Sequence, residues 1–489
     1  MKVRQAASWM GANVNDLSAA LFDKEIENYS IDSRSVVAGE LFFALSQEDY
    51  VRAGFNGTFA DGHQFVGDAF ARGAIAAVVR ADHATGAELA PFKDRLLVVD
   101  DAILALQTLA HRVYESWGRA VVGITGSAGK TTAKELTAHV LVSNGYRVLK
   151  SERNYNNGLG LPLTVLRLVS EGNSPDDFDI AVLEMGMSSP THEIRRLVQI
   201  TPPDVGVELM VAPVHLEHLG TIENIAAAKA ELLEGLKPGG TAILNADDAL
   251  VMGMRAKHSG RTITFGIENS ADVRATEIDT GRLGLIRFRL HTPLGETLAE
   301  LPMSGRHNLM NALAAAAVAT SFEVSPTAIA AALMTASPPK MRGEVIDFAA
   351  GFTIIDDSYN SNPRSLISMV RTVAEVGDER QRRIVIAGEM LELGSDERQL
   401  HRETGREIAA AGINVLWGVR GMAQDIIDGA REGGLLETRF FDSSAEAAEA
   451  IVDEVRAGDL ILIKGSRGVE TDKVVKALRA HLAPAGERG

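Results

Sequence analysis

The stretch VVGITGSAGKTTAKELTAHVLVSNG, residues 121–145, decides how the chain is read. It opens on a short β-branched run and crosses a glycine-bearing loop. It then continues with small or apolar residues at Ala133, Leu136 and Val140, a helical spacing that Gly145 ends. Strand, glycine loop and helix in that order make a phosphate cradle. Gly126 and Gly129 let backbone N–H groups converge on phosphate oxygens, and the helix start adds positive potential. Lys130 is then placed to reach β- and γ-phosphates, and the Thr131 hydroxyl to ligate Mg2+. The common form of this loop has a further glycine five positions before Gly129, where this chain has Ile124.

Working outward from the loop, apolar strand, polar or glycine turn and amphipathic helix alternate. This pattern predicts a mostly parallel sheet covered by helices on both faces. The strand candidates are residues 120–124, 179–186, 204–210 and 241–245. A second series follows PPKMRGE (338–344), with FTIIDD, RIVIAGEM, NVLWG and LILIKGS as strands of a Rossmann-like α/β domain. Its Pro-Pro pair marks a linker. The first hundred residues mix short strands (41–45, 75–79, 96–98) and helices with a glycine- and aromatic-bearing loop at 50–62, and carry no catalytic signature. The expected architecture is therefore α/β in three domains, 1–105, 106–336 and 337–489. Polar residues end the strands of both later series, and ligands of open α/β sheets bind at that rim. A site between the two domains is expected.

Composition narrows the function. A net charge of −16 argues against a nucleic-acid binder, which needs cations along one face. The absence of cysteine excludes disulfides and thiolate metal sites and fits a cytoplasmic location. The first residues lack the apolar run of a signal peptide, and no run of about twenty apolar residues would span a membrane.

Three further residues sharpen the reading. Glu184 ends a buried strand, where a lone carboxylate is costly unless it meets a cation. His215 follows the next strand, and a neutral imidazole is an ordinary ligand of a divalent ion. In TIENIAAAKAELLEGL (221–236), Ile222, Ile225, Lys229, Leu232 and Leu236 step by three and four, so Lys229 lies on the apolar stripe of its helix. A desolvated ammonium loses pKa, and the free amine can take up CO2 as a carbamate, turning a cation into a metal-binding anion.

The loop TGSAGKTT (125–132), NYNNGLGLPLT (154–164), LEMGMSS (183–189), HLEHLG (215–220), AAAKAELLEGL (226–236), GRHNLMNALAAAA (305–317), IIDDSYNSNPRSL (354–366), GEMLELG (388–394) and KGSRGVE (464–470) resemble, in this order, the ATP-dependent Mur ligases. DDSYNSNP, MLELG, IDSRSVVAGELFFAL (31–45) and DGHQF (61–65) are most similar to the branch that adds D-alanyl-D-alanine to UDP-N-acetylmuramoyl-tripeptide. The resemblance implies an ADP-forming amide ligase of peptidoglycan precursor synthesis that uses ATP and Mg2+, works through an acyl phosphate and acts as a monomer. It resolves the odd loop as well, because in this family the cradle starts at Thr125 and Ile124 belongs to the strand. ATP would be held by Thr125, Gly126, Ser127, Ala128, Gly129, Lys130, Thr131 and Thr132, with Asn308 and Asn311 on adenine and Arg342 and Asp357 reaching across the cleft. Lys130, Glu184, His215 and Lys229 would be catalytic. Thr131 and Glu184 would hold one Mg2+, and Glu184, His215 and carbamoylated Lys229 a second. The N-terminal domain would bind the UDP part of the precursor, and the C-terminal domain would close over ATP and the dipeptide. Ser33, Arg34, Asn156, Asn157, Tyr359, Asn360 and Asn362 would contact substrates.

Some positions depart from the family pattern. Residues 208–213 read ELMVAP where Thr-Asn-Ile-Gly is usual before the histidine, Ala128 replaces a polar loop residue, Glu389 stands where aspartate is common, and 47–60 is long. Another Mur-type amino acid ligase or folylpolyglutamate synthase would share the ATP machinery. A non-catalytic P-loop switch is the alternative from a different class, and the inward Lys229 and the GRHNLMN and KGSR segments argue against it.

Overall fold

The computed structural model describes all residues except 56, 153, 188–191, 214–218, 376–381 and 486–489. Three sheets follow one another along the chain. The first has four parallel strands in the order β1 (Asn28–Ser30), β2 (Glu40–Phe43), β3 (Ala76–Arg80) and β4 (Leu96–Val99).

The second sheet has nine strands, ordered β13-β12-β11-β10-β9-β8-β5-β7-β6. Its parallel part comprises β5 (Ala120–Thr125), β6 (Val148–Lys150), β7 (Ile180–Glu184), β8 (Val205–Glu208), β9 (Thr241–Asn245) and β10 (Arg261–Gly266), with β11 (Val273–Arg282) joining parallel to β10. The antiparallel strands β12 (Leu285–Thr292) and β13 (Gly295–Leu301) then extend it. These two strands alternate in burial, as antiparallel strands solvated on one face do, and the sequence reading did not place them.

The third sheet, ordered β14-β15-β19-β16-β17-β18, contains β14 (Glu344–Asp347), β15 (Thr353–Asp357), β16 (Arg383–Gly388), β17 (Val415–Val419), β18 (Glu437–Phe441) and β19 (Leu460–Lys464). All its pairings are parallel except that of the edge strand β14.

Side-chain alternation on β5 explains the layering of the central sheet. Val122 and Ile124 pack against Ala133, Leu136 and Val140 of helix α1 (Lys130–Ser143), whereas Val121 faces the opposite side with Leu232 of helix α2 (Ile222–Glu234). Beside α1, on the same face of the sheet, lies helix α3 (Arg306–Ser321), whose alanine-rich run 314–317 is fully buried.

Two differences from the sequence reading concern the N-terminal third. The expected boundary between residues 105 and 106 falls inside the helix Ala102–Trp117. Leu106, Leu109 and Val113 of that helix join Val3, Leu41 and Val78 of the first block to Leu161 and Leu183 of the central one in a continuous core. The expected loop at 50–62 also begins in a helix, Gln47–Arg52, which Ser46 and Asp49 start with a reciprocal capping box. Tyr50 of that helix stacks on Phe59, with ring centroids 3.9 Å apart. Among the described residues no helix is long and apolar enough to cross a membrane.

Candidate active site

The central and C-terminal sheets turn their strand ends toward each other, and between them lies a cavity of about 520 Å³. One wall is the glycine loop. Gly129 caps α1 at φ +85°, a left-handed conformation suited to glycine, and a Cβ there would overlap the Asn311 side chain. Ser127 fastens the loop to residues 210–212: its N–H donates to the Met210 carbonyl (2.8 Å), its hydroxyl to the Ala212 carbonyl (3.1 Å), and it accepts from the Ala212 N–H (2.9 Å). This clamp ends β8 at Glu208, two residues short of the expected strand. Lys130 Nζ folds back onto the Gly126 carbonyl at 2.8 Å. Desolvation pulls its pKa below the ordinary lysine range; Glu184 opposes that shift and Arg342 adds to it.

Glu184, only 3 % exposed, is held from two sides. Thr131 Oγ1 donates to its Oε2 at 3.0 Å, and Asn156 Nδ2 to its Oε1 at 2.8 Å. Its backbone N–H donates to Ser151 Oγ, and the buried Lys134 holds the Ser151 carbonyl at 2.6 Å, which fixes the strand end from below. A hydroxyl beside a buried carboxylate is a donor set for a hard cation, so Thr131 and Glu184 fit the Mg2+ implied by the sequence.

Lys229 is buried on α2 at 2 % exposure, as its place on the apolar stripe predicts. Burial, with Lys130 nearby, lowers its pKa, while Glu208 acts in the opposite direction. His215 lies outside the described residues.

The far wall comes from the C-terminal sheet. Lys464 at the end of β19 donates to Asp357 Oδ2 at the end of β15 (2.6 Å) and to the Asn360 carbonyl (2.9 Å). Tyr359, Asn360 and Asn362 line the same cavity. Asn362 also accepts the Ser365 N–H, which starts helix α4 (Pro363–Glu375). Arg342, from the linker, stacks its guanidinium 4.1 Å from the Tyr359 ring centroid. Asn308 and Asn311 line the cavity from the first turns of α3.

Of the expected substrate residues, Ser33, Arg34 and Asn157 do not line this cavity. Arg34 is paired with Asp32, and the Asn157 side-chain carbonyl accepts the N–H groups of Leu159 and Gly160. The sequence reading missed Lys464, His307 and the Arg306–Glu268 ion pair, all on the cavity wall. Lys464 could have been found by the rule that found Glu184, because it is the polar residue ending an apolar strand. For Glu268 no sequence signal exists, since it follows a strand that was not expected.

The model of the Mur ligase middle domain matches residues 124–319, and that of the Mur ligase glutamate ligase domain matches residues 341–467. UDP-N-acetylmuramoyl-tripeptide–D-alanyl-D-alanine ligase of Bacillus subtilis (strain 168) is 33% identical over 93% of both chains. The chain belongs to the Mur ligase family. The corresponding enzyme of Escherichia coli (strain K12) is also 33% identical, over 94% of this Mur ligase and 95% of its own length. A crystal structure of MurF from Acinetobacter baumannii superposes with a TM-score of 0.83 at 29% identity, covering 98% of each chain. As a Mur ligase the chain is an ATP-dependent peptide ligase of the peptidoglycan pathway.

Proposed function

We propose that this Mur ligase joins D-alanyl-D-alanine to UDP-N-acetylmuramoyl-tripeptide, in the cytoplasm and as a monomer. The observation that carries this reading is the near full-length likeness to ligases of that name, at 33% identity over 93% of the chain. The cavity supports it physically. A peptide carboxylate is a poor acyl donor and must be activated, which ATP achieves when a carboxylate oxygen attacks the γ-phosphorus, giving an acyl phosphate and ADP. The dipeptide amine then attacks the acyl carbon, phosphate leaves, and the nitrogen loses its proton to yield the amide.

Lys130 on the loop side and Arg342 on the linker side line the cavity and would bind the phosphates. Asn156 and Thr131 orient Glu184, while Lys464 holds Asp357 on the opposite wall. Mg2+ held by Thr131 and Glu184, and a second ion held by Glu184, His215 and carbamoylated Lys229, would neutralise charge on the transferring phosphoryl group. The N-terminal block, residues 1–105, is the proposed seat of the UDP portion, with Ser33 and Arg34 among the proposed substrate contacts, and Asn157 is a proposed substrate contact from the central domain. The C-terminal domain excludes water from the cavity by closing on it.

The test is phosphate release from ATP by the purified protein. Release should require both D-alanyl-D-alanine and a muramoyl tripeptide, supplied in separate assays with meso-diaminopimelate or lysine at the third position. Release that ignores the peptide substrates overturns the proposal.

A further inference from the structure

Glu208 is a buried carboxylate that neither the fold nor the chemistry above uses. It ends β8 fully buried, and neither of its oxygens accepts a hydrogen bond. Its register partner on β5 is Thr125, whose hydroxyl is likewise buried and without a partner. In-register neighbours on parallel strands share a face, and here it is the face covered by α2. Two residues earlier on the same strands, Cβ atoms at Gly123 and Gly206 would each meet Leu232. Lys229 lies one helical turn before Leu232 and Leu233, which carries its amine to the Glu208 end of the strand.

Glu208 and Lys229 feel each other electrostatically, yet no ion pair within 4.0 Å joins them. The next carboxylate, Asp248, is engaged elsewhere: it accepts the N–H groups of Val211, Leu250 and Val251. Two orphaned oxygens of Glu208 and one of Thr125 are therefore buried on the sheet face that the Lys229 helix covers. A buried carboxylate in that condition calls for a bonded cation.

We propose that Glu208 is a carboxylate ligand of the second divalent cation, beside Lys229. This rests on the two-cation reading of the site. Hard divalent ions take carboxylate and hydroxyl oxygens, and Glu208 is in the segment 208–213 whose sequence departs from the family pattern.

The experiment counts ions. Mn2+ is titrated into the full-length protein with a non-hydrolysable ATP analogue, and binding is read by electron paramagnetic resonance and calorimetry. The wild type should bind two ions. Glu208→Gln, which keeps the volume of the side chain and removes its charge, should weaken the second ion at least tenfold while the ion at Thr131 and Glu184 binds as before. Two ions at wild-type affinity in Glu208→Gln overturn the proposal and leave the two-cation reading standing. A wild type that binds one ion overturns both. If Glu208→Gln does not fold, Glu208→Asp, which keeps the charge and shortens the reach, carries the test. A weaker second ion supports the assignment and an unchanged one defeats it.

Discussion

Lys130 and His307 show how far single residues can be read. Lys130 was legible as a cavity residue because it follows a glycine loop at the start of a helix, and the structure puts its ammonium on the Gly126 carbonyl. Lys130→Ala should lower ATP turnover on the order of 10²–10³-fold, the typical effect of deleting one group that stabilises transition-state charge. Its thermal midpoint should change little, since the side chain serves no core. His307 was not legible, because a histidine in a helical run carries no mark of its surroundings. Desolvation lowers its pKa to about 4, with Asp357 opposing and Lys464 reinforcing the shift. A depressed folded-state value means that the unfolded chain binds the extra proton first. The nucleotide-free protein should therefore lose stability as pH falls from about 6.5 to 4, by at most about 1.4 kcal/mol per pH unit from this group. Urea unfolding at several pH values should show a shallower slope for His307→Asn across that window, and an unchanged slope would refute the assignment.

At the scale of elements, the periodicity of α2 foretold that Lys229 points inward, but not what it meets. Its neighbour Glu208 is on a strand more than a turn away in sequence, brought there by the β8–α2 crossover. The loop and α3 are joined in the same way. Gly129 was read as a residue that frees backbone N–H groups, and in the structure it also makes room for Asn311, far along the chain. Gly129→Ala combines a left-handed φ with a steric overlap. The substitution should cost about 1–3 kcal/mol of stability and weaken ATP binding together. Denaturant titration and nucleotide calorimetry on one preparation would check both effects; a stable variant with normal ATP affinity would show that the packing of loop on α3 is loose.

For the whole molecule, the cavity has two walls from two sheets, whereas the N-terminal block shares its core with the central one. ATP should therefore couple the central and C-terminal parts. At a hundredfold excess over its Kd, a ligand adds about 2.7 kcal/mol to the state that binds it. Calorimetry with the ATP analogue should raise the transition of the C-terminal domain along with that of the central one. Arg342→Ala, which removes a cation reaching across from the linker, should reduce the gain. An ATP effect confined to the central transition would mean that the far wall does not engage the nucleotide.

The sequence by itself determined the α/β class, the glycine loop between a strand and a helix, Glu184 at a strand end and the inward Lys229, because each follows from local periodicity or from the chemistry of a short motif; the register of the loop came from the family resemblance. Tertiary structure alone decided the facing of Lys464 and Asp357, the register of Glu208 opposite Thr125, and the antiparallel extension through β12 and β13. The reason is physical: a strand end or helix face specifies which of its sides is buried, but the partner on the other side arrives from a distant part of the chain through crossovers that no local pattern encodes.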